Sequence, residues 1–366
     1  MIDKMTPDRT TQAPRIGAAQ LRLLERLTNA SAVSGDEGEV RKIVLEEIRP
    51  HTDKIQVDSL GNVLAIKAGK DEPRLRVMLA AHMDEVGFML THNEDKEEGI
   101  FRFDTVGGVS LSHLAGQPVV IGAEHVPGVI GAKPVHLATE DELKNPLNLE
   151  NLRIDVGPGN SNLVKVGDRA TFATRFARLG PSLRGKALDD RLGVCTLIEL
   201  VKHSPPNIDI LAAFTVQEEV GLRGARVAAY ALEPDLAIVL DSTPANDLPA
   251  WDGSENTRYN TRLGYGPAIY TSDSATLSDP RLIRHFAQTA DEAGIPYQFR
   301  QPGGGGTDAG AIHKQRTGIP SLSVSVPGRY LHTPACLCRL SDWKNTLALV
   351  SLALSRLSPE ILHAER

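Results

Sequence analysis

Three apolar runs along this chain stop at acidic or imidazole side chains. Leu75-Arg-Val-Met-Leu-Ala-Ala81 leads into His82-Met-Asp84-Glu85, and Ile210-Leu-Ala-Ala-Phe-Thr-Val216 into Gln217-Glu218-Glu219-Val-Gly221. Leu236-Ala-Ile-Val-Leu240 leads into Asp241. Such runs read as strands buried on both faces, in the middle of a sheet covered by helices. Around them the apolar period becomes helical. Leu21, Leu23, Leu24 and Leu27 mark one helix and Val40, Ile43, Val44 and Ile48 a second, with a break at Ser34-Gly35. Val194, Leu197, Ile198 and Val201 mark a third, and Ala225, Val227 and Tyr230 a fourth. Residues 280–294 and 341–357 also read as helices, and 321–326 as a strand. Residues 55–57 and 62–67 predict a hairpin about Ser59-Leu-Gly61.

Between residues 88 and 178 the texture differs: short β-like pieces alternate with Gly, Pro and Asp/Asn turns, as in a small barrel or sandwich. The expected architecture is therefore α/β, a central mixed sheet flanked by helices. Residues 20–87 and 179–366 would form that discontinuous domain, with 88–178 as an all-β insertion. Residues 1–19 carry Asp3, Lys4, Asp8, Arg9 and Arg15 and no apolar core, so a disordered tail is expected there.

Composition narrows the class. At 366 residues the chain exceeds one ordinary core, and 41% hydrophobic with 23% charged residues is a soluble globular balance. A formal charge of −6 leaves no electrostatic footprint for nucleic acid or an anionic membrane. No run approaches the roughly 18 apolar residues of a membrane span, and the first residues are no secretory signal. Cys195, Cys336 and Cys338 offer no disulfide framework and suit a reducing cytoplasm. Cys336 and Cys338, one residue apart, lack the spacing of a zinc ribbon and read as ordinary small residues.

In open α/β sheets, chemistry collects beyond the carboxyl ends of the strands. His82, Asp84, Asp189, Glu218, Glu219, Asp241 and His332 all fall at strand ends or adjoining loops. Each has an ordinary reading alone: Asp189-Asp190 as a helix N-cap, Asp241 as an Asx turn before Ser242-Thr-Pro244, the histidines as core or surface residues. Their joint placement at one sheet edge is harder to reach by accident. Two imidazoles and three carboxylates suit Zn²⁺, Co²⁺ or Mn²⁺ rather than a thiolate-rich structural zinc site. Two metals about 3.5–4 Å apart need a bridging ligand. Five ligands suffice if each metal takes one His, one carboxylate and a share of the bridge, leaving one acid as general base and one as a partner of a histidine. Competing motifs are missing: there is no H-E-x-x-H, no G-x-S-x-G and no phosphate loop, since Pro302-Gly-Gly-Gly-Gly306 lacks the Lys and Ser/Thr. That stretch reads as a flexible loop or as a backbone wall beside a ligand.

The chain also resembles a known family, the tetrahedral (TET) aminopeptidases, dinuclear metallopeptidases related to glutamyl aminopeptidase. The matching stretches are A-H-M-D-E-V-G-F at 81–88, G-K-A-L-D-D-R-L-G at 185–193, E-E-V-G-L-R-G-A at 218–225, D-S-T-P at 241–244, G-Y-G-P at 264–267, G-G-G-T-D-A-G-A at 304–311 and R-Y-L-H-T-P at 329–334. The resemblance implies that His82 and Asp241 hold one metal, Glu219 and His332 the other, and Asp189 both. It makes Glu218 the general base, has Asp84 orient His82, and suggests a cis peptide at Asp189-Asp190. It further implies a PDZ-like or barrel-like dimerisation insertion, two divalent ions per subunit (Zn²⁺ or Co²⁺, with Mn²⁺ also fitting), and dimers assembling into a hollow tetrahedral dodecamer that trims short peptides. Rival readings are a carboxypeptidase or N-acyl deacetylase on the same scaffold, a glycoside hydrolase, and a non-catalytic assembly protein. The preferred N-terminal residue is not readable. Its pocket is expected near 246–270 and 301–310, where Arg258, Arg262 and Arg300 would favour acidic substrates if they were not ordinary surface charges.

Because adjacent strand residues point to opposite faces, Glu218 and Glu219 can share a site only if the backbone leaves strand geometry there, with Gly221 close enough to help the bend.

Overall fold

The computed structural model of the protein describes residues 14–52, 54–140, 144, 147–257, 260–301 and 304–366. The expected tail is therefore described only from residue 14. It ends at the helix Ala18–Asn29, whose first turn is tied by the Gly17 N–H donating to Gln20 Oε1 at 3.0 Å.

The chain begins its sheet with β1 (Lys54–Val57), β2 (Val63–Lys67) and β3 (Leu75–His82). It then leaves for β4 (Gly87–Asp95), β5 (Ile100–Val106), β6 (Pro118–Ile121), β7 (Val126–Gly131), β8 (Arg153–Asp155) and β9 (Arg169–Phe172). It returns with β10 (Ala177–Leu179), β11 (Ser182–Gly185), β12 (Ile208–Thr215) and β13 (Leu236–Pro244). Last come β14 (Ala268–Ile269), β15 (Gln298–Phe299), β16 (Ser321–Arg329) and β17 (Cys336–Arg339).

The fold is an α/β sheet of order β1-β2-β12-β3-β13-β16-β17-β11-β10, with β14 and β15 attached at β16, plus a closed barrel β4-β5-β8-β7-β6-β9. The expected hairpin is the antiparallel pair β1–β2. At the centre, β12, β3, β13 and β16 run parallel. Register then does the work of placing the site: Thr215 lies opposite His82, and Asp241 opposite Ser325, so the polar strand ends share one edge.

The strict period of two explains why these strands read as continuous apolar runs. Val77, Leu79 and Ala81 of β3 join the core under helices Ala18–Asn29, Gly38–Ile48, Leu188–Lys202 and Leu340–Ser355, while Met78 and Ala80 join the core under Arg223–Leu232 and Ala309–Ile312. Cys195, Cys336 and Cys338 are free and buried. The barrel has a separate core, in which Phe88 meets Phe103 and Phe172 edge-on at 5.3 and 5.2 Å. Among the described residues, no helix is long and apolar enough to cross a membrane.

Candidate functional site

β12 stops at Thr215, and the chain turns before the glutamate pair rather than after it. Gln217 takes a left-handed φ of 56°, and Gly221 a φ of 119°. Asp84 fixes this turn. Its Oδ1 accepts the Glu218 N–H at 3.0 Å, its Oδ2 the Glu219 N–H at 3.2 Å and the Ser34 hydroxyl at 2.6 Å. Both glutamates thereby face one cleft from consecutive positions. The Asp84 carboxylate is 3.6 Å from His82 Nδ1, farther than the Asp84 carbonyl at 3.2 Å. Its shortest bond is from the Ser34 hydroxyl, and its two backbone bonds hold the glutamate turn beside the imidazole.

The seven predicted residues converge. His82 Nε2 lies 3.3 Å from Asp189 Oδ1 and 3.7 Å from Asp241 Oδ1. His332 Nε2 lies 3.5 Å from Asp189 Oδ2 and 3.2 Å from Glu219 Oε2. Asp189 thus turns one oxygen to each histidine. Each imidazole keeps Nδ1 against a backbone carbonyl, Asp84 O for His82 and Gly108 O (3.0 Å) for His332, which leaves both Nε2 atoms to face the carboxylates. Gly108 comes from the barrel's β5–β6 connection, so the insertion helps to orient a site residue.

Asp190 also lies within range, its oxygens grouping with His82 and Asp241 inside 4.8 Å as those of Asp189, Glu219 and His332 do. Its carboxylate is already engaged: Oδ2 accepts the His82 N–H at 3.3 Å and Oδ1 the Gly193 N–H at 2.9 Å. A Cβ on Gly193 would meet that Oδ1 at 2.3 Å. Asp190 therefore supports the site from behind, and the Asp189-Asp190 peptide is cis.

Among the described residues, eight non-glycine positions have positive φ. Five of them, Ala187, Gln217, Leu222, Tyr330 and His332, lie in the segments that present this site. Each costs on the order of 1–3 kcal/mol and persists only where the surroundings over-determine it.

The electrostatics are those of five buried acids crowded around two imidazoles, His82 and His332. Burial pushes the Glu219 carboxyl up to about 8 against the opposing pull of His332, and the Asp241 carboxyl to about 6. Burial raises Glu218 and Asp190 well above the carboxylate range. Asp189 is the exception: burial would raise it, but bonds from His332 and His82 hold it low. Burial works against a charged His332, yet Asp189 and Glu219 lift it to about 9. Such a donor set, with two Nε2 atoms aimed at shared carboxylates, fits divalent cations.

Sequence reasoning missed several supports. Asp308 is buried, its Oδ2 bonded to the Thr215 hydroxyl at 2.5 Å and its Oδ1 without a partner, and burial pushes it to about 7. Its signal in the sequence was its place in the matching stretch at 304–311, just beyond the Gly-rich run. The cleft, about 1390 Å³, is lined by Gly304, Gly305 and Gly306 of that loop, while Pro302 and Gly303 lie outside the described residues. Of the three arginines, Arg300 lines the cleft; Arg262 is not in its lining and sits over Tyr265, and Arg258 is outside the described residues.

Three comparisons bear on this arrangement. The sequence profile of the M42 glutamyl aminopeptidase family matches residues 61–349. The lysyl aminopeptidase of Pyrococcus furiosus is 30% identical over 92% of this chain and 97% of its own. A TET aminopeptidase structure from the marine sediment archaeon Thaumarchaeota archaeon is 35% identical, with a TM-score of 0.88 over 94% of this chain and 98% of that one. The Pyrococcus horikoshii TET1 peptidase, reported to assemble into a tetrahedron or a large octahedral shell, is 32% identical with a TM-score of 0.79, over 92% and 100% of the two chains.

Proposed function

The chain belongs to the M42 glutamyl aminopeptidase family, and on that premise we propose that it is a metal-dependent aminopeptidase that removes the N-terminal residue from short peptides. The observation that carries this reading is Asp189, which turns one carboxylate oxygen to His82 Nε2 and the other to His332 Nε2. Two divalent ions, Zn²⁺ or Co²⁺ with Mn²⁺ as a further fit, would be held by His82, Asp241 and Asp189 on one side and by Glu219, His332 and Asp189 on the other. When bound, they supply Lewis-acid polarisation of the scissile carbonyl and a more acidic water.

The chain's own residues do the rest. Glu218 faces the cleft beside this set, and among the described residues nothing donates a hydrogen bond to its carboxylate. It takes a proton from the attacking water at a carboxylate oxygen and delivers it to the leaving amine. Asp84 holds the Glu218 backbone so that the carboxylate meets the carbonyl face. Homo-oligomerisation, by dimers through the barrel and as a tetrahedral dodecamer, belongs to the same reading, as does a reducing, cytoplasmic setting for the free buried cysteines.

The metal-loaded protein is expected to hydrolyse aminoacyl anilides, to ignore their N-acetylated forms, and to lose activity to a chelator. Cleavage of N-acetyl or C-terminal substrates instead would move it to a deacetylase or carboxypeptidase, and activity surviving chelation would favour glycosidase-type acid chemistry.

Metal uptake should also be steeply pH-dependent. Glu219 at about 8 and His332 at about 9 hold protons at neutral pH in the cation-free pocket, so binding a cation releases them. A carboxyl raised in this way contributes stability below its ordinary pKa of 4.5 and loses it as pH climbs through about 8. Asp189, held low, titrates below this window. The difference in Tm between metal-loaded and chelator-stripped protein should therefore widen from about pH 6 to about pH 9. Scanning fluorimetry across that range checks it, and a gap that narrows toward alkaline pH would contradict the ligand assignment.

A further inference from the structure

Asn62 is buried where the β1–β2 hairpin enters β2, and it lies outside the cleft lining. Its Oδ1 accepts the Val216 N–H at 2.9 Å. Its Nδ2 donates to Gly224 O at 3.2 Å and to Asp58 Oδ2 at 2.6 Å. The oxygen and both amide protons are thereby engaged, and these partners fix which end of the amide is which. Asp58 is itself held by the turn it closes, its Oδ1 accepting the N–H groups of Leu60, Gly61 and Asn62 at 3.0, 2.9 and 3.0 Å.

Val216 and Gly224 are the two feet of the loop that carries Glu218 and Glu219. β12 ends at Thr215, and the next helix begins at Arg223. The Gly224 N–H donates to Val216 O at 3.0 Å, so the feet meet, and Asn62 bonds one backbone group on each. The approach is close enough to require glycine: a Cβ at position 224 would stand 2.3 Å from Asn62 Oδ1 and 2.5 Å from Val216 O. Between the feet, Gln217 and Leu222 both take a left-handed φ of 56°, a conformation that persists in such residues only where the surroundings over-determine it. Asp84 holds the middle of the loop through two N–H groups. Asn62 holds its ends.

We infer that Asn62 is a positioning residue for the reaction: its carboxamide clamps both feet of the 216–224 loop and so sets where the Glu218 carboxylate stands against the scissile carbonyl, with Asp58 orienting the amide. This rests on the aminopeptidase reading above. The role needs a donor and an acceptor on one short, planar group, which an amide supplies and an ionised acid or an apolar side chain does not. Because a misplacement of about 1 Å at a reacting group can cost 10²-fold, a loosened loop shows first in turnover.

The test uses the metal-loaded full-length protein and leucyl 4-nitroanilide. Asn62→Ala should lower kcat by roughly 10- to 100-fold, while KM and metal content at saturating Zn²⁺ stay near wild type. Asp58→Ala frees the amide without touching the loop and should lower kcat in the same way by a smaller factor. It carries the test if Asn62→Ala does not fold. Asn207→Ala is the control: Asn207 Nδ2 also donates to two carbonyls, Leu354 O at 3.0 Å and Leu357 O at 2.8 Å, but these lie at the end of the helix Leu340–Ser355, and kcat should stay near wild type. Hydrogen–deuterium exchange read by mass spectrometry adds a measure apart from activity. Exchange within 216–224 should quicken in Asn62→Ala and stay unchanged in Asn207→Ala. Equal losses of kcat in Asn62→Ala and Asn207→Ala would reduce the effect to general destabilisation and overturn the inference. Faster exchange in the loop with kcat unchanged would overturn it too, as would a loop whose exchange does not respond. Wild type that turns over no aminoacyl anilide at any metal loading would overturn the aminopeptidase reading, and the catalytic role of the clamp with it, even where loop exchange still responds to Asn62→Ala.

Discussion

Glu218→Gln is expected to keep the metal content of wild type while lowering kcat by roughly 10²- to 10⁴-fold, the share of a positioned general base. Glutamine preserves the shape and the cleft contacts but cannot carry the proton from water to the leaving amine. The substitution should be structurally quiet because the turn is held through the backbone: Asp84 accepts the N–H groups of Glu218 and Glu219, and neither bond involves the Glu218 side chain. Burial raises the Glu218 carboxyl well above its ordinary range, so it holds a proton more readily than an exposed carboxylate does. Glu219→Ala is the control, since its carboxylate lies 3.2 Å from His332 Nε2 and its removal should cost metal. Elemental analysis beside steady-state kinetics separates the two residues. Full turnover in Glu218→Gln would remove the base assignment, and lost metal would make Glu218 a ligand instead.

Much of this site was legible because buried parallel strands demand uninterrupted apolar sequence, so the points where β3, β12 and β13 stop are visible as the points where polarity begins. The turn at Glu218-Glu219 was predictable for the same reason, since two consecutive residues of a regular strand cannot face one site. Its device was not. The expected helper was Gly221, whereas the chain already bends at Gln217, in a left-handed conformation that no glycine announces. Asp84 was expected beside His82 and its carboxylate lies 3.6 Å from His82 Nδ1, but its added bonds to two backbone N–H groups depend on the spacing of β3 and β12, which local sequence does not encode. Short strands such as β17, β11 and the edge strand β10 carry too few residues to show a period. Arg300 looked like a surface charge but is buried, because burial of a long polar side chain is a property of the surrounding loops.

The hardest feature to see in the sequence is also the one whose loss should destabilise most. Glu85→Ala is expected to cost about 3–5 kcal/mol, the penalty for stripping the partner from buried charges. Glu85 is 2% exposed and sits where the chain leaves β3 for the barrel. Its Oε1 accepts the Ala32 N–H at 2.9 Å and, with Oε2, the Lys186 ammonium at 2.6 and 2.8 Å. Oε2 also accepts the Thr171 hydroxyl of β9 at 3.0 Å, and Arg191 Nη2 approaches Oε1 at 3.3 Å. One carboxylate therefore joins the N-terminal helical hairpin, the barrel and the Asp189 segment. Burial already pushes the Lys186 ammonium down, and Glu85 opposes that shift. Without Glu85, two cations remain buried with only carbonyls around them: Ala30 O for Lys186, and Leu27, Met83 and Asp84 O for Arg191. Thermal unfolding of metal-loaded protein should show Tm falling by roughly 4–7 °C for a chain of this size. Lys186→Met in the Glu85→Ala background should recover part of the loss, because it removes one of the orphaned charges, so the pair should be clearly non-additive. A Glu85→Ala variant within about 1 kcal/mol of wild type would mean that water reaches this junction and screens it. Arg191 also grips the carbonyls of Met83 and Asp84, next to His82 and the carboxylate that holds the Glu218 turn. Loosening the junction should therefore lower kcat at temperatures well below unfolding.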